Sequence, residues 1–337
     1  MEWATDREHQ VALHGVDDTV AAQVRRLAEL AGTELLTVPA GQEVAAALVL
    51  TGVGEPGRLR VRVDPARLAA MPDGAAAPTG IVLPGEAEVL LDLMVAVGAR
   101  HRAHTVGVVG AHGGAGASVL AAALARAAAG AGSATAVVDM DPAGGGLDVL
   151  LGVEHDPGQR WTDLGPETGA ILPQRLALAL PEWHLVRVLS GDRRGGAPPD
   201  RVARSAVRAL GQGHDVVVLD LPRQVLAAGP ARDLWLRWCM DVVLLGRSGV
   251  RGGAAVLAAA PPLVAHGRAH LVMRSAAAED GDAAELAEAA GLPLAATMRD
   301  ERALAAGIEQ GLTPGDQRRG HLRTAARGLV ARLGLGP

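Results

Sequence analysis

Short apolar runs alternate with segments of helical spacing along the chain. In the first hundred residues, Val11–His14, Glu34–Val38, Ala47–Thr51, Leu59–Val63 and Ile81–Leu83 read as short strands. Asp17–Ala31 carries apolar residues at helical spacing, with Asp17 or Asp18 as its N-cap, and Glu86–Arg100 reads as a second helix. Met71–Gly80, rich in Pro, Gly and Ala, reads as a loop. Five strands with interleaved helices predict a small parallel α/β unit over 1–100.

A second unit is expected over 101–337. Thr105–Gly110 is an apolar strand that runs into Ala111-His112-Gly113-Gly114-Ala115-Gly116-Ala117-Ser118 and an Ala-rich helix to about Ala129. Further strands are predicted at Ala134–Val138, Leu185–Leu189, Asp215–Leu219, Val242–Leu245 and His270–Met273. Val216-Val217-Val218-Leu219 is apolar at every position, which suits a strand covered on both faces. The expected fold is α/β: a doubly wound, mostly parallel sheet with a glycine loop at the carboxyl end of its first strand.

Composition restricts the chemistry. The chain has 337 residues, is 49% hydrophobic and carries a formal net charge of −5. It has no Phe, Tyr, Lys or Asn, so all 32 basic residues are Arg, and Ala fills 67 positions. A strongly GC-rich genome accounts for that bias. No lysine can form a Schiff base or reach a phosphate, and no tyrosine can act as an acid. Cys239 is the one cysteine, which excludes an intramolecular disulfide and a thiolate zinc cluster. The five Trp are scattered, so a stacking platform for nucleic acid is not expected. No apolar run approaches the ~18 residues of a membrane span, and the acidic start Met1–Asp6 lacks a leader core. The expectation is a cytoplasmic protein.

A strand, a glycine-rich turn and a helix gather backbone N–H groups at one place, where the helix dipole also favours an anion. Gly113, Gly114, Ala115, Gly116 and Ala117 would form such a cradle, with Ser118 at the helix start able to meet Mg²⁺ on a bound nucleotide. The loop resembles the deviant Walker A loop of the MinD/ParA ATPases, K-G-G-x-G-K-[ST]. His112 stands in the place of the signature lysine and Ala117 in the place of the phosphate-binding lysine. Asp139 and Asp141 match that family's acidic segment, and Asp220 matches its Walker B aspartate. Asp139-Met140-Asp141-Pro142-Ala143-Gly144-Gly145-Gly146-Leu147-Asp148 and Gly158-Gln159-Arg160-Trp161-Thr162-Asp163-Leu164 resemble the actinobacterial septum-site-determining proteins (Ssd), which are CpaE-like members of that superfamily. The resemblance covers about 105–333.

The resemblance implies regulation of septum placement, or of Flp/Tad pilus and secretion assembly, through contacts with division or pilus/secretion proteins and with a second copy of the chain. The missing lysines imply weak ATP/Mg binding at most and no catalytic residue. A charge-assisted bond to phosphate is worth roughly 1.5–3 kcal/mol, and a cation supplied across a dimer roughly 10³–10⁵ in rate. Arg102, Arg247, Arg251 or His112 are the candidates to replace a lysine, and an active ATPase with such a rearranged cation is the alternative. Each site residue also has a purely structural reading: the glycines as a tight turn, Ser118 as a helix cap, Asp139, Asp141 and Asp220 as strand ends held by backbone N–H groups. Trp161, Met140, Met240 and Cys239 are expected in the core.

Gly110-x-x-x-Gly114-x-Gly116 with Asp139 also resembles a short-chain dehydrogenase loop, but that family's Tyr-x-x-x-Lys pair is absent. Residues 1–100 resemble a receiver domain in outline, with Thr51-Gly52 where a receiver keeps its phosphoacceptor aspartate. The chain is not expected to bind a specific nucleic acid, because charge over 101–337 nearly cancels. Arg318, Arg319, Arg323, Arg327 and Arg332 accompany Leu322, Ala326, Leu329 and Leu333 at helical spacing. That segment reads either as the last packed helix or as a basic amphipathic helix that meets an anionic membrane surface.

Overall fold

The computed structural model describes residues 11–39, 42, 44–64, 78–98, 102–141, 144–165, 171–195, 198–275, 281–317 and 319–336. Met1–Asp6, most of the Met71–Gly80 loop, Pro142 and Arg318 lie outside them. The elements up to residue 98 are β1 Val11–His14, α1 Asp18–Ala31, β2 Leu35–Val38, β3 Leu48–Gly52, β4 Arg58–Val63, β5 Gly80–Val82 and α2 Ala87–Val97. α1 begins where Asp17 accepts a 2.9 Å hydrogen bond from Val20 N and ends at Gly32, whose φ of 66° suits glycine. Val20, Val24 and Ala28 recur every four residues and turn the buried stripe of α1 onto the sheet.

These strands form a five-stranded sheet in the order β2-β1-β3-β4-β5. β1 pairs parallel with β2 and β3, but β4 runs antiparallel to both β3 and β5. The expected all-parallel sheet is therefore corrected. The physical reason is the link from Gly52 to Arg58, which is far shorter than the dozen or so residues a parallel crossover needs. At the exits of β1 and β3 the two backbones nearly touch: a Cβ on Gly52 would stand 2.1 Å from Gly15 O.

The second sheet contains β6 His104–Gly110, β7 Thr135–Asp139, β8 Glu182–Trp183, β9 Val186–Leu189, β10 Val216–Asp220, β11 Asp241–Arg247, β12 Ala269–Ser275 and β13 Leu294–Arg299. Its helices are α3 Ala117–Gly130, α4 Leu147–Leu151, α5 Pro173–Ala179, α6 Asp200–Gly213, α7 Pro230–Trp238, α8 Val250–His266, α9 Gly281–Ala290, α10 Arg302–Glu309 and α11 His321–Leu333. The strand order is β13-β12-β11-β6-β10-β7-β9-β8, parallel except for the two-residue β8 at one edge. β8 and β13 are additions to the strands the sequence predicts. In β10, Val217 and Leu219 enter the core shared with α5 to α9, while Val216 and Val218 enter the core shared with α3, α4 and α11. One all-apolar run thus serves two hydrophobic layers, which is the doubly wound arrangement.

α11 packs into this second core. Leu322, Ala325, Ala326, Leu329, Val330 and Leu333 are all buried, so the apolar face assigned to a membrane in the amphipathic reading is already occupied by protein. No helix among the described residues is long and apolar enough to cross a membrane. Cys239 is buried, as expected, and burial pushes its thiol up to about 12. Met240 departs from the expectation of a core residue: it is 48% exposed, at the turn that leads into β11.

Candidate functional site

β6 has β11 on one side and β10 on the other, and β7 lies beyond β10. This is the switch point of the sheet, where chain connections diverge and leave a crevice at the strands' carboxyl ends. Gly110, Asp139 and Asp220 close their strands there, and Asp139 stands directly beside Asp220 in the ladder. Met140 N continues the pairing with a 3.0 Å bond to Asp220 O.

The glycine loop needs its glycines. Gly114 and Gly116 have φ of 73° and 100°, in the left-handed region that L side chains rarely adopt. A Cβ on Gly113 or Gly114 would meet nothing within 4 Å, so the cradle opens outward. Gly116 is the N-cap of α3 and supplies no side-chain bond to the first turn, which leaves those N–H groups facing the crevice. The structural reading of Ser118 as the cap is therefore corrected. Ser118 lies within the first turn, and its hydroxyl is near enough to the Asp220 carboxyl to favour its charged form.

The carboxylates are shielded and crowded. Asp139 Oδ1 accepts from Asp141 N at 3.0 Å, and Oδ2 accepts from Leu147 N at 3.0 Å and from Ser190 Oγ at 3.2 Å. Burial nevertheless holds the Asp139 carboxyl above its usual range. Asp220 is 5% exposed, and burial, with the nearby charges of Asp139 and Asp141, pushes it up to about 7 against the opposing effect of Ser118. Trp161 packs as expected, and its indole Nε1 donates to Asp139 O at 2.6 Å.

All nine predicted site residues are brought together. Gly113, Gly114, Ala115, Gly116, Ala117, Ser118, Asp139, Asp141 and Asp220 line one cleft of about 390 Å³. The proposed replacement cations fare differently. His112 lines the cleft with Nδ1 donating to Gly113 O at 2.9 Å. Arg247 lies outside it and pairs with Asp300 at 2.6 Å. Arg102 and Arg251 do not line it either.

Sequence reasoning missed three participants. Asp148 and Ser190 are buried beside Asp139, with Ser190 Oγ accepting from Asp148 N at 3.2 Å. Arg274, at the end of β12, donates Nη1 to Ala115 O at 3.2 Å, and its Nε donates to Asp300. The same Nη1 lies 3.0 Å from where a Cβ on Gly116 would be. Arg274 therefore braces the glycine loop from a neighbouring strand. Arg274→Ala is expected to cost about 1 kcal/mol of stability and to speed hydrogen–deuterium exchange at residues 112–117, which mass spectrometry would read.

The cleft fits a magnesium-bound nucleotide in two respects, the open glycine cradle and the Ser118 hydroxyl beside a strand-end carboxylate. Among the described residues no group of three His, Cys, Asp or Glu side chains is placed to hold a metal alone. A magnesium ion there would depend on phosphate oxygens for the rest of its shell. The loop supplies no cation of its own.

No family profile matches the chain. The uncharacterized protein Rv3660c of Mycobacterium tuberculosis H37Rv is 40% identical over 239 residues, which are 68% of this chain and 65% of the relative. The chain thus spans just under two thirds of that relative's length. Among solved structures, a ParA family ATPase from Chlorobium tepidum has a TM-score of 0.57 at 14% identity, covering 68% of this chain and 98% of its own. MinD of Aquifex aeolicus in a MinC:MinD complex has a TM-score of 0.56 at 14% identity, covering 69% and 96%. The septum site-determining protein MinD from Pyrococcus horikoshii, complexed with Mg-ADP, has a TM-score of 0.51 at 17% identity, covering 68% and 96%. The large parallel sheet and its helices have the fold of the MinD/ParA ATPases.

Proposed function

We propose that this chain is a MinD-like regulator of the Ssd/CpaE kind, with a degenerate Walker A loop, that acts through protein contacts. It regulates septum placement or Flp/Tad pilus and secretion assembly, binds ATP/Mg weakly and hydrolyses it little. The observation that carries this reading is the cleft itself: the glycine cradle, Ser118, Asp139, Asp141 and Asp220 are assembled, while His112 and Ala117 stand where the family's lysines belong. Ser118, Asp139, Asp141 and Asp220 would hold the magnesium side of a nucleotide, and Gly113, Gly114, Ala115, Gly116 and Ala117 its phosphates. The metal would neutralise phosphate charge, and this chain's own part would be to bind and orient.

Solved structures of similar fold support the coarser elements. One MinD is complexed with Mg-ADP, and another is assembled with MinC. Exposed apolar side chains favour protein contact: Val149 on α4 is 61% exposed and Val250 at the start of α8 is 93% exposed. On this reading 1–100 is a receiver-like domain without phosphotransfer, 101–337 is the degenerate P-loop domain, and the protein works in the cytoplasm or at the inner face of the membrane or septum. Calorimetry with Mg-ADP and Mg-ATP tests it. Small heats with dissociation constants in the high micromolar range or weaker are expected, and tight binding with rapid turnover would overturn the reading.

A further inference from the structure

The chain has 32 arginines, and those close to an acid are mostly engaged. Arg247 and Arg274 share Asp300, Arg194 is held by Asp163 and Asp192, and Arg126 pairs with Asp316 at 2.7 Å. Arg223 is different. It opens the short 3₁₀ turn Arg223–Leu226, three residues beyond Asp220, and it is exposed. It lines the glycine-loop cleft, and it is the one arginine among the residues that do. Among the described residues, no hydrogen bond or ion pair occupies its guanidinium.

The two buried carboxylates of the cleft are engaged elsewhere. Asp139 takes Asp141 N, Leu147 N and Ser190 Oγ, and Asp220 has the Ser118 hydroxyl beside it. The cleft therefore combines an uncommitted guanidinium with a cradle of backbone N–H groups. A guanidinium matches two phosphate oxygens at once with parallel N–H donors, which a lysine cannot do. It stays charged at every working pH.

We propose that Arg223 is the phosphate-binding cation of this cleft, supplied from the exit of β10 because the glycine loop carries no lysine, and that its ligand is the polyphosphate of a magnesium-bound nucleoside di- or triphosphate. This rests on the nucleotide reading above. It makes the cation an arginine reached through Asp220-Leu221-Pro222 and leaves the loop to bind through its backbone alone. It also separates holding a nucleotide from cleaving one, since a single cation on this wall does not replace the signature lysine that reaches across a dimer.

The test is calorimetric titration of the full chain with Mg-ADP and Mg-ATP at low ionic strength, for wild type, Arg223→Gln, Arg223→Lys and the paired outlier Arg247→Gln. Arg223→Gln is expected to weaken binding roughly ten- to a hundredfold. Arg223→Lys should recover part of that loss, and Arg247→Gln should match wild type. A second measurement needs no variant: Mg-pyrophosphate should slow phenylglyoxal modification of Arg223, read by peptide mass spectrometry, and leave that of Arg247, outside the cleft, unchanged. Wild-type affinity in Arg223→Gln, or an unprotected Arg223 while nucleotide binds, would overturn the assignment and leave the nucleotide reading standing. No heat from wild type at millimolar nucleotide would overturn both.

Discussion

Steady-state ATP turnover by this chain is expected at buffer background, and a lysine restored at one position should tighten Mg-ATP binding. Ala117 opens α3, where the matching family position carries the phosphate-binding lysine. Ala117→Lys adds one charge-assisted phosphate contact, worth roughly 1.5–3 kcal/mol, or about ten- to a hundredfold in affinity. It should leave turnover almost unchanged. His112→Lys restores the other position and acts on rate: in the double variant turnover is expected to rise by roughly 10³ if two copies meet across the nucleotide. Malachite-green or coupled assays read the rate, and fluorescent nucleotide titration reads the affinity. Wild-type turnover that disappears in Ser118→Ala would show instead that the alternative, an active ATPase with a rearranged cation, is correct.

The second large effect concerns stability. Asp220 is almost wholly buried with its carboxyl pushed up to about 7, well above the ordinary range of an aspartate in an unfolded chain. Between about pH 4 and 7 the folded state therefore holds a proton that the unfolded state has lost, and stability falls as pH rises through that window. Above pH 7 the full penalty of a buried charge beside Asp139 and Asp141 is present. Asp220→Asn removes the charge and keeps an oxygen for Ser118. It should stabilise the protein by about 2 kcal/mol at pH 8.5 and by almost nothing at pH 4, measured by urea unfolding. Equal effects at both pH values would show that Asp220 does not carry this burden.

At the opposite end of the sheet the sign reverses. Asp241 is buried at the start of β11, where burial alone would raise its carboxyl, but Arg268, His270 and His104 hold it down at about 2. His104 Nε2 lies 2.7 Å and His270 Nε2 2.9 Å from its oxygens. Asp220 at the carboxyl end of β10 and Asp241 at the amino end of β11 are thus buried carboxylates shifted in opposite directions, the first by burial and the second by the basic side chains that surround it.

Much of this was legible in the sequence, and the exceptions have identifiable causes. The runs that became β6 and β10 are apolar at nearly every position and are followed by Gly or Asp, so both the strands and the site at their ends could be placed. β13 was missed because Leu294-Ala295-Ala296-Thr297 is rich in alanine and carries little strand signal. β4 was identified as a strand, but its direction depended on the length of the preceding link. Arg274 braces the glycine loop from β12 and Arg223 lines the cleft from the turn after β10, and in a chain whose every basic side chain of this kind is arginine neither stands out by type. Met240 reads as core by its residue type, yet it sits between α7 and β11, where half of it stays exposed.

The reversed β4 also decides what the smaller sheet is able to do. The receiver outline would put its acceptor at the end of β3, where this chain has Thr51-Gly52. Here β4 runs against β3, and the backbones at the exits of β1 and β3 are so close that a Cβ on Gly52 would stand 2.1 Å from Gly15 O. This smaller unit is joined to the larger one at α2, where Gln212 of α6 donates to Val95 O at 2.8 Å.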